Sequence, residues 1–213
     1  MKIEFNPNRK VFPLPRLMPG VPPFPVKTFS LEEFHKCIDD GMFVNEDKVE
    51  LIYGFMYQYG AITPRYCTVR RNLRECFYEH AIDPSEFHVS GAGSITIAVN
   101  QSEPEPDLMI VRGPGDVYTN RHPYPEDVHI VFEASDETLD FDRTIRLEMY
   151  AQAGIPEYWI ANIIDDRLEV YTRPEAGEAP RYESVKHYMP YETVEVALPG
   201  KQPFNLAVSD ILR

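Results

Sequence analysis

The stretch VHIVFEASDETLDFDRTIRLEMYAQAGIPEYWI (residues 128–160) decides the fold class of this chain. An apolar run at 127–134 predicts a strand, and a helical pattern over 141–153 follows it and ends at Gly154. A second β-rich segment, PEYWIANI, begins at Pro156. The order strand, helix, strand predicts a sheet with a helix packed against it.

The flanking segments extend this pattern on both sides. A helix is predicted from Ser30, whose hydroxyl can form a capping box with Glu33, to Gly41. A second amphipathic helix is predicted over 64–82, where apolar residues recur at helical intervals. Further β-rich segments lie at 48–60, 86–98, 106–112 and 167–173. We therefore expect an α/β or α+β fold in which one mixed sheet is flanked by helices.

Composition indicates one domain that follows an extended arm. The 213 residues are 43% apolar and 26% charged, which is enough for a sizeable core. Seven of the twenty prolines fall in residues 1–25, and this excludes a helix or a central strand there. We expect a Pro-rich extended arm at 1–27 and a single domain at 28–213.

The N-terminus and the cysteines bear on the cellular location. The N-terminus lacks a continuous apolar signal region, and no apolar stretch has the roughly 18 residues that a membrane span needs. Three cysteines, an odd number without a CxxC pair, argue against a disulfide framework and against a zinc site. We expect a cytoplasmic protein with reduced thiols that does not span a membrane.

The net charge of −13 disfavours a general nucleic-acid binder. A polyanion is repelled by the whole protein before any phosphate contact can form. The argument is weaker against an enzyme whose metal ion and local basic strip meet phosphate while the rest of the surface stays acidic.

Two carboxylates interrupt apolar strands. Asp107 begins the strand in PDLMIV, and Glu133 lies within VHIVFEAS. Because buried carboxylates are paired or bound to a metal, two of them on neighbouring strands suggest a shared divalent cation, and oxygen ligands favour Mg²⁺ or Mn²⁺. Glu50, in VELIYG, is a third candidate of the same kind. The alternative is that each carboxylate ends a strand and faces water.

Arginines are the candidate phosphate contacts. Four of them fall in the predicted helix at 64–82: Arg65, Arg70, Arg71 and Arg74. They can meet a DNA backbone, although a charge-rich helix face is also typical of a solvated surface. A further arginine, Arg146, lies four residues after Asp142, a spacing that predicts an exposed ion pair on one helix.

Several of these segments together resemble the Uma-type restriction endonuclease family, a branch of the PD-(D/E)XK nuclease superfamily. The resemblance runs from about Thr28 to Leu212. It is carried by TFSLEEF near the start, VELIYG (49–54), EPDLMIV (105–111), VHIVFEAS (128–135), DRTIRLEMYAQAGIPEYWI (142–160) and RLEVY (167–171). The resemblance implies a restriction-endonuclease-like mixed sheet flanked by helices, and a metal-dependent nuclease that acts on DNA.

The resemblance also implies a metal site. Asp107, Glu133 and the main-chain carbonyl of Ala134 would hold Mg²⁺ or Mn²⁺, and Glu50 would contribute to the same site. The metal would activate water and neutralise charge on the scissile phosphate. Arg146 would supply a cation next to the developing negative charge.

Arg146 is also a departure from the resembled pattern. The family places its catalytic lysine on this helix, four residues before the position of Tyr150. Arginine supplies charge and bidentate phosphate contacts, but it does not release a proton at accessible pH. In the resembled family, a histidine often follows the proline that corresponds to Pro64, and Tyr66 or Cys67 stands at that place here. The expected metal ligands are therefore present in altered surroundings.

Two functions remain as the main hypotheses. The first is an endonuclease that hydrolyses DNA phosphodiester bonds with Mg²⁺ or Mn²⁺. The second is a catalytically degenerate nuclease fold that serves as a binding or assembly module, as Arg146 and the acidic surface suggest. A sugar hydrolase with two carboxylates would need an aromatic-lined cleft, and no motif supports it. DNA is the expected partner, and a homodimer stays open as an assembly.

Overall fold

A computed structural model describes residues 27–43, 49–58, 63–79, 83–91 and 93–213. The helices are α1 (Leu31–Asp39), α2 (Pro64–Glu79), α3 (Leu139–Phe141), α4 (Leu147–Ala153) and α5 (Val208–Leu212), with a π-helical turn at Asp142–Arg146 between α3 and α4. The strands are β1 (Val49–Ile52), β2 (Phe55–Gln58), β3 (Phe87–Ser90), β4 (Leu108–Arg112), β5 (Val128–Ser135), β6 (Glu157–Asn162), β7 (Arg167–Glu175), β8 (Arg181–Tyr188), β9 (Thr193–Val196) and β10 (Phe204–Ala207). Within these ranges, no helix is long and apolar enough to cross a membrane.

The predicted arm at 1–27 lies outside the described residues except for Lys27. The division into an arm and a domain therefore stays a prediction. The predicted capping box at the start of α1 is confirmed: the Ser30 hydroxyl accepts from the Glu33 N–H, and the Glu33 carboxylate accepts from the Ser30 N–H. This reciprocal pairing satisfies two amide donors at the helix end and fixes where the helix begins.

Six strands form one mixed sheet in the order β3-β4-β5-β6-β7-β8. Strands β5 and β6 are parallel, whereas the other neighbours are antiparallel. Parallel neighbours need a crossover connection, which α3, the π-helical turn and α4 provide. The predicted mixed sheet flanked by helices is therefore confirmed.

Helical layers cover both faces of this sheet. Helices α2 and α5 pack on one face, against Leu108 and Phe132. Helix α4 and the β1–β2 hairpin pack on the other face, against Met109 and Val131. Because successive strand residues point to opposite faces, β4 and β5 are buried on both sides. A charged residue on either strand must therefore find its partners inside the protein.

The β1–β2 hairpin turns tightly against the segment before α1. Gly54 adopts a positive φ of 80°, and a Cβ at this position would lie 2.8 Å from the Phe29 carbonyl oxygen. The Phe29 N–H donates to the Gly54 carbonyl at 2.8 Å. Only glycine allows this approach without strain, and the close contact helps to fix the hairpin that carries Glu50.

The strand predicted at 86–98 is shorter than expected. Strand β3 ends at Ser90, and the chain then leaves the sheet. The apolar residues that suggested a longer strand, Ile95 and Ile97, are instead fully buried against the helical crossover. Their N–H groups donate to the Pro104 and Ser102 carbonyls, so local hydrogen bonds replace sheet pairing.

A buried ion cluster ties the β6–β7 hairpin to the crossover. The Glu169 carboxylate is buried and accepts hydrogen bonds from Arg143, Asn162, Tyr171 and Arg167. Burial alone would raise the pKa of Glu169, but these four donors together lower it to about 2. The cluster anchors the start of the π-helical turn to the sheet.

We expect Glu169→Gln to lower the free energy of unfolding by about 3 kcal/mol at pH 7. The pKa of Glu169 is lower in the folded chain than its ordinary value of 4.5, so the stabilisation is present above pH 4.5 and is lost as the pH falls toward 2. Urea denaturation should therefore show a smaller deficit at pH 3.5 than at pH 7. The exposed Glu195→Gln is the control, and a deficit independent of pH would contradict the prediction.

Candidate active site

Asp107 and Glu133 lie opposite each other on neighbouring strands. The antiparallel register of β4 and β5 pairs Leu108 with Phe132, so the residue before Leu108 faces the residue after Phe132. Only 6% of Asp107 and 5% of Glu133 are exposed. The alternative in which each carboxylate faces water is therefore wrong, and both groups need partners inside the protein.

Helix α2 and strand β5 fix the Asp107 carboxylate. Its Oδ2 accepts a hydrogen bond from the Ala134 N–H at 2.8 Å, and its Oδ1 accepts one from the Tyr66 hydroxyl. Arg70 Nε lies 3.7 Å from the same Oδ1. Burial raises the pKa of Asp107, while these donors and Arg146 oppose the rise. The Tyr66 hydroxyl thus helps to orient Asp107.

Arg146 lies at the centre of a buried ion cluster. Its Nη1 donates to Glu133 Oε1 at 2.7 Å, and its Nη2 donates to Glu50 Oε2 at 2.8 Å. Its Nε lies 3.1 Å from Asp142 Oδ1, and only 4% of the residue is exposed. One guanidinium group thus joins three carboxylates from β1, β5 and the π-helical turn.

The prediction of an exposed Asp142–Arg146 pair is wrong. The spacing brings the two side chains together, but both are buried. The β1–β2 hairpin covers this side of the crossover, with the Tyr57 ring 5.2 Å from the Phe141 ring. Such coverage joins residues more than 80 positions apart, so no local pattern could reveal it.

The pKa of Glu133 depends on burial and on four charged neighbours. Burial raises its pKa well above the usual value; Arg146 opposes this, and Asp107, Asp142 and Glu50 raise it further. Its Oε1 accepts from both Arg146 and the Tyr150 hydroxyl, the latter at 3.1 Å. Among the described residues, no donor reaches its Oε2. This oxygen can therefore accept a further ligand.

The donor set fits a hydrated magnesium ion. Four carboxyl groups face the two guanidinium groups of Arg70 and Arg146, so the cluster would carry an excess of negative charge with all four ionised, and a divalent cation would offset it. The four belong to Glu50, Asp107, Glu133 and Asp142. In the part of the chain that the structure describes, no three His, Cys, Asp or Glu side chains are grouped closely enough to form a metal site by themselves. Mg²⁺ binds through one or two carboxylates and keeps several waters, and the facing pair Asp107 and Glu133 suits that preference.

Three of the four candidate phosphate-binding arginines border one cavity. The cavity has a volume of about 410 Å³ and is lined by Arg70, Arg71 and Arg74 together with Asp107. Arg65 is not among its lining residues and instead forms an exposed ion pair with Asp166. The structure therefore places the basic face of α2 beside Asp107 and leaves Arg65 apart.

Sequence reasoning missed the hydroxyl groups that hold the cluster. Ser135 and Thr138 donate to Asp142 Oδ2 at 2.7 and 2.6 Å. Ser135 follows Glu133 by two residues on the same strand, so both side chains lie on one face of the sheet, and this alternation was the available signal. Thr138 lies four residues before Asp142, so helical spacing was the available signal there. For Tyr66, the contact with Asp107 depends on how helix α2 packs on the sheet, and no local signal indicates it.

Comparisons with known proteins agree with this fold. The family model of Uma2, described as "Putative restriction endonuclease", matches residues 31–209. No curated protein matches the chain. A crystal structure described as a putative nuclease from Anabaena variabilis is similar to this chain, with a TM-score of 0.61 and 12% sequence identity, covering 86% of this chain and 97% of that one. At this identity, the structural likeness bears on the fold alone.

Proposed function

The chain belongs to the Uma2 family, and we propose that it is a nuclease that hydrolyses DNA phosphodiester bonds with Mg²⁺ or Mn²⁺. The observation that carries the proposal is the facing pair of buried carboxylates, Asp107 and Glu133. Asp107 lines the cavity that the α2 arginines border, so a phosphate held there would lie beside the pair. The homodimer and the cytoplasmic location stay predictions.

Asp107, Glu133 and the main-chain carbonyl of Ala134 would hold the divalent cation. When bound, the cation supplies a Lewis acid that neutralises charge on the scissile phosphate and favours ionisation of water. The Ala134 N–H and the Tyr66 hydroxyl keep the Asp107 carboxylate in one orientation. This orientation exists before the substrate binds, so little reorganisation is needed during the reaction.

Arg146 and Tyr150 position Glu133. Both donate to Oε1, which leaves Oε2 as the oxygen that can accept a ligand. Arg146 stays protonated at every accessible pH, so it supplies charge and does not relay a proton. Its binding to Glu50 and Asp142 fixes the guanidinium plane and therefore the orientation of Glu133.

A second candidate function rests on the same arginine. The Arg146 guanidinium contacts three carboxylates and is almost completely buried, as expected of a structural ion cluster. In that case the fold would bind DNA without cleaving it. A buried cation that contacts three carboxylates, at the position of the family's lysine, is the observation that favours this function.

The experiment that separates the two functions is a cleavage assay with the full chain. Supercoiled plasmid and labelled single- and double-stranded oligonucleotides are incubated with Mg²⁺, with Mn²⁺ or with EDTA. We expect nicked, linear or shortened products with a metal and none with EDTA. DNA binding without cleavage under every metal condition would contradict the nuclease proposal and favour the second function.

A further inference from the structure

The cavity beside Asp107 is bordered by three arginines on one face of α2. Arg70 and Arg74 are four residues apart, and Arg71 lies next to them on the same side of the helix. Arg70 Nη2 donates to the Gly91 carbonyl at 2.6 Å, which fixes this side chain at the cavity wall. Arg71 and Arg74 are exposed and can turn toward a phosphate. The ion pair of Arg71 with Glu75, which also lines the cavity, is exposed and long, with 3.8 Å between Nε and Oε1, so a phosphate can replace it. The cavity volume of about 410 Å³ lies within the range of about 300–1,000 Å³ that small-ligand pockets occupy.

An aromatic ring borders the same cavity. Tyr78 lies four residues after Arg74, lines the cavity and is 57% exposed. The Arg74 guanidinium lies over the Tyr78 ring, 5.5 Å from its centroid. A large aromatic side chain held by a cation beside an arginine-lined cavity offers a flat surface on which a nucleobase can stack.

This arrangement is better suited to unpaired than to paired nucleotides. In a duplex, both faces of each base are covered by neighbouring base pairs, so no base face can reach a side chain. An unpaired base exposes both faces and can stack on an aromatic ring while arginines contact its phosphate. A concave site that joins arginines to an exposed tyrosine therefore suits a single strand better than a duplex.

The overall charge supports contact with a short segment. A net charge of −13 repels long stretches of backbone, so binding must depend on a few local contacts. Three arginines line the cavity.

We propose that the cavity binds an unpaired DNA nucleotide next to the scissile phosphate, with Arg71 and Arg74 on its phosphate and Tyr78 stacked on its base. Single-stranded DNA, or a duplex with an unpaired end, is then the preferred substrate class. The inference deepens the proposed nuclease function and rests on it for the identity of the ligand.

Binding can be measured separately from cleavage by fluorescence anisotropy in EDTA. The wild-type chain is titrated into fluorescein-labelled 12-nucleotide DNA, single-stranded or annealed to its complement, and the oligonucleotide is checked to be intact afterwards. We expect the single strand to bind at least about tenfold more tightly than the duplex. Tyr78→Ala should weaken single-strand binding by about tenfold, whereas Tyr78→Phe, which keeps the ring, should retain it.

The control variant is Tyr191→Ala, because Tyr191 is 85% exposed and does not line this cavity. It should leave binding unchanged. Equal affinity for single strand and duplex, no effect of Tyr78→Ala, or tighter binding of the matching RNA would overturn the inference. Tyr78-dependent binding without metal-dependent cleavage would leave the inference standing and remove the nuclease function. Cleavage without any dependence on Tyr78 would do the reverse.

Discussion

Asp107→Asn is expected to reduce DNA cleavage by about 10³-fold or more while the fold is retained. Asparagine keeps the size of the side chain, and its carbonyl can still accept the Ala134 N–H. It loses the negative charge that a divalent cation needs. Such a cation supplies several kcal/mol of charge stabilisation, which corresponds to a change in rate of about 10³-fold or more. Initial cleavage rates with Mg²⁺ and with Mn²⁺, at equal protein concentration, measure the effect.

The stability of the Asp107→Asn variant should equal or exceed that of the wild type. Burial raises the pKa of Asp107, so the charged form is held at an energetic cost that a neutral side chain avoids. The exposed Glu105, two residues earlier, provides the matched control Glu105→Gln, which should change neither cleavage nor stability. Unchanged cleavage by Asp107→Asn would remove the carboxylate pair from the mechanism.

Arg146→Met is expected to lower the free energy of unfolding by about 3–5 kcal/mol, because it leaves buried carboxylates without their cation. Glu50, Glu133 and Asp142 all contact this guanidinium. The pKa values of Glu133 and Asp142 are already raised by burial and should rise further in the variant. Carboxylates with a raised folded-state pKa take up protons on folding, so the deficit should shrink as the pH falls from 8 to 5.

Urea denaturation at several pH values, with the wild type beside the variant, measures this deficit. Arg143→Met provides a comparison, because Arg143 is partly exposed and pairs with the separate carboxylate Glu169. Its deficit should also shrink as the pH falls, but in a lower window, below about pH 4.5, because the pKa of Glu169 is lowered to about 2 in the folded chain. A deficit of less than about 1 kcal/mol in Arg146→Met would show that the carboxylates can reorganise or stay protonated.

Arg146→Lys separates the charge of this side chain from its shape. Lysine keeps one positive charge but lacks the planar group that reaches three carboxylates together, so we expect a smaller deficit, about 1–2 kcal/mol. For cleavage, we expect a gain per folded molecule, because an ammonium group, unlike a guanidinium group, could give up a proton at accessible pH and so take part in proton transfer. Equal cleavage by the two proteins would show that arginine suffices at this position.

Local sequence patterns located most of the helices and strands but not the order of the strands in the sheet. The apolar period and the glycine after it located the crossover helix and its end at Gly154. The same reasoning failed at 86–98, because Ile95 and Ile97 are buried by tertiary packing outside the sheet. An apolar pattern predicts that residues are buried. Whether they also form a strand depends on pairing partners that are distant in the chain.

The sequence by itself determined that Asp107 and Glu133 interrupt buried strands, and their carboxylates therefore needed partners. It also determined the four-residue spacing of Asp142 and Arg146. Only the tertiary structure decided that this pair is buried, and that Glu50 completes the cluster from a distant hairpin. Spacing along a helix fixes which side chains are neighbours, whereas packing between elements fixes whether water is excluded. The strength and the role of a charge depend on that exclusion.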